Sequence, residues 1–98
     1  MTRQELLHPD DSLAALRSSI DTIDQNILFL LAERQRIVLE VGQVKKREGK
    51  QIEDLRRESA ILRRQLRLAK KLGLDMKLME RFLSVVFRLA KSVQKKIA

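Results

Sequence analysis

The chain has no cysteine, no tryptophan and no tyrosine, and its 98 residues include one proline and one histidine. Without cysteine there is no disulfide framework and no thiol nucleophile, and the cytoplasm is the expected compartment. The histidine, His8, precedes Pro9 in what we expect to be a flexible tail (residues 1–11), so a Ser/His or Cys/His relay is not expected. No cluster of residues has metal-ligand spacing, and no glycine-rich loop suits a nucleotide. We therefore expect no cofactor, and a reaction that needs no protein nucleophile if the chain is an enzyme.

Long apolar runs are also missing. The longest is ILFLLA (Ile27–Ala32), far short of a membrane span, and the N-terminus lacks the apolar stretch of a secretory signal. We therefore expect no membrane association.

Acidic residues are too few to balance the basic ones, and the net charge of +8 makes an anionic partner the natural expectation. Nucleic acid, an acidic surface and a small polyanion all qualify. Because aromatic residues make up only 3% of the chain and fit a core, base stacking has no obvious platform. Charge alone leaves the choice open.

Pro9, Gly49 and Gly73 divide the chain into three predicted helices. These helices are predicted from about Leu13 to Lys45, from about Glu53 to Leu72, and from Met76 nearly to the end. Asp10, Asp11 and Ser12 are candidate N-caps for the first helix, Gly73 is the expected stop of the second, and Asp75 is the expected cap of the third. The prediction is one all-α domain over residues 1–98.

The first predicted helix is too long for the rest of the chain. About 34 residues at 1.5 Å each extend ~50 Å, whereas the other two helices extend only ~30 Å apiece. Its apolar stripe needs another surface, and a second copy of the chain is the simplest source. We therefore expect a three-helix subunit with one very long N-terminal helix that forms an intertwined homodimer.

Several polar side chains fall on or beside the apolar stripes of these helices. They are Arg17, Arg34 and Lys45 on the first helix, Arg57 and Glu58 on the second, and Gln94 on the third. Each has an ordinary explanation when taken alone: Arg17 snorkels to water, Arg34 and Glu58 pair with opposite charges, Lys45 favours a helix end, and Gln94 is frayed surface. Together they leave an excess of inward positive charge, which a bound polycarboxylate would balance.

The order of these residues resembles a known family. The first helix reads LAALRSSIDTIDQNILFLLAERQRIVLEVGQVK (Leu13–Lys45), followed by DLRRE (Asp54–Glu58), LGLD (Leu72–Asp75) and Gln94. This pattern resembles the chorismate mutases of the all-helical AroQ class. The resemblance implies an intertwined dimer of three-helix subunits and the Claisen rearrangement of chorismate to prephenate, in the biosynthesis of phenylalanine and tyrosine.

The resemblance also implies how the two substrate carboxylates are bound. Arg17 and Arg34 would each bind one carboxylate, with Arg57 assisting, because the planar guanidinium can grip a carboxylate bidentately. Arg34 and Lys45 are 11 residues apart, ~16 Å along a helix, so their side chains can converge on one small ligand. Arg17 lies ~25 Å before Arg34 on the same scale. Arg17 would therefore have to come from the partner chain.

The remaining implied roles concern the ether oxygen and the ring hydroxyl of the substrate. Lys45 and Gln94 would donate to the ether oxygen, where negative charge develops as the carbon–oxygen bond breaks. Glu58 would accept from the ring hydroxyl, with the backbone amide of Asp54 close by. Many members carry a hydroxyl residue four positions before the glutamine, and here that position is Ala90.

Three other functions are open at this stage. An isochorismate pyruvate-lyase shares this fold and pocket logic, and a catalytically silent relative would share the sequence pattern. A basic helical module that binds nucleic acid or an acidic protein would explain the charge. It gives no reason for Glu58 and Gln94 on apolar faces, so we expect no nucleic-acid partner.

Overall fold

The structure is a computed structural model that describes residues 12–51 and 53–96, and these residues form three α-helices. The helices are α1 (Leu13–Arg47), α2 (Leu55–Lys71) and α3 (Met76–Lys95). The described residues include no β-strand, and the all-α prediction is confirmed. The predicted flexible tail and two of the candidate N-caps, Asp10 and Asp11, lie outside the described residues.

Side-chain caps set where the helices begin. Ser12 Oγ accepts from the backbone N–H of Ala15 at 3.1 Å, ahead of α1. The second helix, predicted from about Glu53, begins at Leu55, because Asp54 is its N-cap and accepts from the N–H of Arg57 at 3.0 Å. Asp75 caps α3 as predicted, and its carboxylate accepts from the N–H of Leu78 at 2.9 Å.

Two glycines in the left-handed region end the first two helices. Gly49 has φ 69° and Gly73 has φ 75°, backbone angles that favour glycine over any residue with a Cβ atom. After α2, the N–H of Leu74 donates to the Ala69 carbonyl at 3.0 Å, which satisfies a carbonyl at the helix end. The N–H of Lys50 donates to the Lys45 carbonyl at 2.8 Å in the same way, so α1 extends two residues beyond its predicted end.

The chain divides into two units after Arg34. In the first unit the described residues belong to α1 and its cap. Three successive apolar side chains there, Leu28, Phe29 and Leu30, are 67%, 70% and 68% exposed in the single chain. Successive helical residues point about 100° apart, so these three cover more than one side of the helix.

The second unit begins at Gln35 and contains the end of α1 with α2 and α3. Lys91 near the end of α3 contacts Glu58 near the start of α2, so these two helices pack antiparallel. Ala69 and Val86 form their buried apolar core. Leu55 and Phe82 are exposed, because no described segment of the chain covers them.

The outer face of α2 carries a regular series of basic pairs. We call these pairs the dibasic doublets, and they are Arg56–Arg57, Arg63–Arg64 and Lys70–Lys71. All six side chains are exposed, and the doublets recur every seven residues, or about 10.5 Å along the helix. Glu58 is the one acidic residue of α2.

Candidate active site

A pocket of about 540 Å³ lies between the end of α1 and the start of α2. It is lined by Lys45, Lys50, Gln51, Glu53, Asp54 and Leu55. Its volume lies within the range of about 300–1,000 Å³ that small-molecule sites occupy. Two predicted site residues, Lys45 and Asp54, are thus brought to one pocket.

Lys45 also borders a second, more apolar cavity of about 390 Å³. Ile37, Val41 and Val44 of α1 provide its apolar wall, and Lys50 lines both cavities. The Lys45 side chain is half-buried. It therefore lies where a polar and an apolar surface meet.

Gln94 is buried on α3, with 7% of its surface exposed, and is not frayed surface. Its Nε2 atom donates to the Val38 carbonyl of α1 at 3.2 Å. A carboxamide has two N–H donors, so this bond leaves one for a ligand. The sequence prediction that Gln94 faces inward is confirmed.

Asp54 and Arg57 meet at the start of α2. The Asp54 side chain and carbonyl are both used in capping, since they accept from the N–H groups of Arg57 and Glu58. The backbone N–H of Asp54 takes no part in these two bonds. The Arg57 side chain is exposed.

Glu58 pairs with a lysine rather than with an arginine. Lys91 Nζ lies 3.3 Å from Glu58 Oε1 and 2.9 Å from Glu53 Oε1. The hydrogen bonds to Glu53 and Glu58 raise the pKa of Lys91, and the hydrogen bond from Lys91 lowers the pKa of Glu53. Sequence reasoning missed Lys91; the available signal was its position three residues before Gln94, on the same side of α3.

The environment of the Arg34 side chain favours the binding of an anion. The side chain is half-buried, and its Nη1 atom is buried with no hydrogen-bond partner among the described residues. An unpaired buried guanidinium nitrogen is costly, because it has lost water without gaining an acceptor. Arg17, in contrast, is exposed on the single chain.

The described residues lack both a metal site and a membrane-spanning helix. They contain no group of three or more His, Cys, Asp or Glu side chains placed to hold a metal ion. Within the same residues, no helix is long and apolar enough to cross a membrane.

The sequence pattern of the family described as "Chorismate mutase type II" matches residues 16–95, most of the chain. The chain belongs to the chorismate mutase type II family. The matched segment of this chorismate mutase family member includes every predicted site residue, from Arg17 to Gln94.

Relatives of this family member include longer proteins. A "Bifunctional chorismate mutase/prephenate dehydratase" of Enterobacter agglomerans is 38% identical over 80 residues, covering 82% of this chain and 21% of that protein. The "T-protein" of the same organism is 42% identical over 76 residues, covering 78% of this chain and 20% of that protein. The bifunctional protein of Escherichia coli K12 is 38% identical over 66 residues, covering 67% of this chain and 17% of that protein. The chain thus spans about a fifth of the length of these relatives.

Proposed function

We propose that this chain is a chorismate mutase, which converts chorismate to prephenate in the biosynthesis of phenylalanine and tyrosine. In this rearrangement the ether carbon–oxygen bond breaks while a carbon–carbon bond forms within the same molecule, so no atom is gained or lost. The observation that carries the proposal is the buried, unpartnered Nη1 atom of Arg34 in a member of this family. Chorismate is a dicarboxylate and supplies the acceptor that this nitrogen lacks. Cytoplasm is the proposed compartment.

Arginines bind the two substrate carboxylates. Arg34 receives one carboxylate on its unpaired nitrogen, since charge-assisted N–H···O bonds are about twice as strong as neutral ones. Arg57, at the start of α2, assists from the exposed side. Arg17 binds the other carboxylate from a second copy of the chain. Fixing both carboxylates holds the flexible enolpyruvyl group over the ring, which lowers the entropic part of the barrier.

Lys45 and Gln94 act on the ether oxygen. Lys45 lines the pocket at the end of α1, and Gln94 has a second N–H donor beyond the one bonded to Val38. Both donate to the oxygen as it gains negative charge, which stabilises the transition state more than the bound substrate. Removal of such a donor typically costs ~3 kcal/mol of barrier height.

Glu58 and Asp54 recognise the ring hydroxyl. Glu58 is an acceptor when ionised, and the Asp54 backbone N–H, outside its two capping bonds, is a donor to the same hydroxyl oxygen. A hydroxyl with one donor and one acceptor partner is fixed in orientation, so these two groups fix how the ring is oriented in the site.

A second copy of the chain completes the fold and the site. Leu28, Phe29 and Leu30 are largely exposed and point to more than one side of α1, so a single neighbouring surface would not cover them. An intertwined homodimer surrounds such a helix and buries these side chains. The same arrangement supplies Arg17 to the partner's site.

The test is to incubate the purified chain with chorismate and to follow the loss of chorismate and the formation of prephenate. Lys45→Ala, measured alongside, shows whether turnover depends on the proposed site. Production of salicylate and pyruvate from isochorismate, without prephenate from chorismate, would instead identify a pyruvate-lyase. Salt-dependent binding to DNA without any turnover would identify the basic binding module.

A further inference from the structure

Lys91 bridges two carboxylates that come from different parts of the site. Its Nζ atom lies 2.9 Å from Glu53 Oε1, just before α2, and 3.3 Å from Glu58 Oε1, in the first turn of α2. The Lys91 and Glu58 side chains are 30% and 25% exposed, so this pair is better shielded from water than an ordinary surface ion pair. Gln94, which is three residues further along α3, places its amide on the same side of the helix.

Lys91 contacts the Oε1 atom of Glu58, and this contact leaves the Oε2 atom for another partner. A carboxylate accepts on both oxygens, so the contact to Oε1 is compatible with a substrate hydroxyl on Oε2. A glutamate side chain has several rotatable bonds, and most of its rotamers would turn the carboxylate away from a ligand. A cation held in place by a second carboxylate restricts that freedom before the substrate arrives.

We propose that Lys91 is a positioning residue for the reaction: it is anchored by Glu53 and holds the Glu58 carboxylate in the orientation that accepts the ring hydroxyl of the substrate. This inference rests on the proposed function, because it needs a substrate hydroxyl at Glu58. Lys91 itself does not touch the substrate.

A purely structural role for Lys91 is the rival explanation. In that case the ion pair with Glu53 only holds the segment before α2 against α3, and the contact between Lys91 and Glu58 has no effect on the reaction. The two explanations predict different losses of activity when the Glu53 or the Glu58 carboxylate is removed. Glu53→Gln breaks the ion pair between Lys91 and Glu53 but leaves the contact between Lys91 and Glu58.

The experiment is a double-mutant cycle with chorismate as substrate. The variants are Lys91→Met, Glu58→Gln and the double variant, with Glu53→Gln and Lys91→Arg beside them and Lys77→Met as an exposed lysine control on the same helix. kcat and KM are measured for each, and the thermal unfolding midpoint verifies that each is folded. If Lys91→Met does not fold, Lys91→Gln, which keeps hydrogen-bond donors without the charge, replaces it in the cycle.

Lys91→Met is expected to raise KM about tenfold with little change in kcat, the pattern for an interaction made equally in the ground and transition states. In the Glu58→Gln background the same substitution should change kcat/KM by less than about twofold, because the residue through which it acts is gone. Lys91→Arg should retain most of the activity, and Glu53→Gln should lose less than Lys91→Met.

Additive effects of Lys91→Met and Glu58→Gln, or equal losses in Glu53→Gln and Lys91→Met, would overturn the inference while the parent protein remains a mutase. A parent protein without mutase activity would overturn the proposed function first, and the role of Lys91 with it.

Discussion

Gln94→Glu replaces a buried donor by a group that donates only when protonated. In the parent, the amide uses one N–H on the Val38 carbonyl, at 3.2 Å, and keeps the other for the ether oxygen. An ionised carboxylate offers neither donor and places negative charge beside the oxygen that becomes negative in the transition state. Turnover at neutral pH should therefore fall by about 10²–10³, the typical effect of losing one such donor.

The acid side of the pH profile tests the same geometry. Burial and the facing Val38 carbonyl oxygen both raise the pKa of the introduced carboxyl, whereas a Lys45 ammonium at the same ether oxygen lowers it. As pH falls through that pKa, the carboxyl gains a proton and can donate again. It has one O–H where the amide had two N–H groups, so it serves either Val38 or the substrate. Recovery should be partial for that reason.

The assay is kcat for prephenate formation from about pH 4 to pH 8. Gln43→Glu is the matched control, because it makes the same chemical change at an exposed position on α1. The lost hydrogen bond and the buried charge should also lower the free energy of unfolding by about 2–4 kcal/mol at neutral pH, which thermal denaturation measures. A Gln94→Glu profile that runs parallel to those of the parent and of Gln43→Glu would refute the placement of Gln94 at the ether oxygen.

Three further outcomes are expected. Lys45→Ala should reduce kcat by about 10²–10³ while the circular dichroism stays helical, and unchanged turnover would remove the electrostatic role of Lys45. Arg17→Ala and Lys45→Ala homodimers should both be nearly inactive. Refolding them as an equal mixture should restore roughly a quarter of the parent activity, because half of the dimers are then mixed and one of the two sites in each mixed dimer is intact. An inactive mixture that contains mixed dimers would contradict the shared site. The Lys91–Glu53 pair should stabilise the fold most between about pH 5 and pH 10. Because the pKa of Glu53 is lowered in the folded protein, the stability that Glu53 contributes is lost as pH falls through its folded-state pKa. Because the pKa of Lys91 is raised, the stability that Lys91 contributes is lost as pH rises through its folded-state pKa. A difference in unfolding midpoint between parent and Lys91→Met that is independent of pH would contradict this.

Local signals predicted the helices well. Gly49, Gly73 and Asp75 act through their own backbone angles or side chains, so their effects follow from residue type alone. The start of α2 was predicted about two residues early, although Asp54, which caps the helix, is a favourable N-cap residue by type. Gln94 was placed correctly because helical periodicity fixes which face a residue occupies.

The contacts between helices were much harder to predict. Lys91 lies beside the apolar stripe of α3, where a lysine usually extends into water, and its pairing depends on how α2 and α3 are packed. Periodicity assigns a face and not a partner, so it could not show that Glu58 contacts Lys91. The role of Arg17 depends on a second chain, and it stays a prediction for that reason.

The spacing of the dibasic doublets on α2 has a consequence for the capture of substrate. The doublets repeat at about 10.5 Å, close to the screening length of about 10 Å in 0.1 M salt and well below the length of about 30 Å in 0.01 M salt. Arg67, which is also exposed, lies between the second and third doublets, so in 0.1 M salt the attraction of anions is local to the nearest basic side chains. At low ionic strength the three doublets and Arg67 together give one continuous attractive potential along the helix. Dilution of the buffer should accelerate the diffusional encounter with a doubly charged substrate and raise kcat/KM, while kcat at saturation, governed by short-range donors inside the pocket, should barely respond.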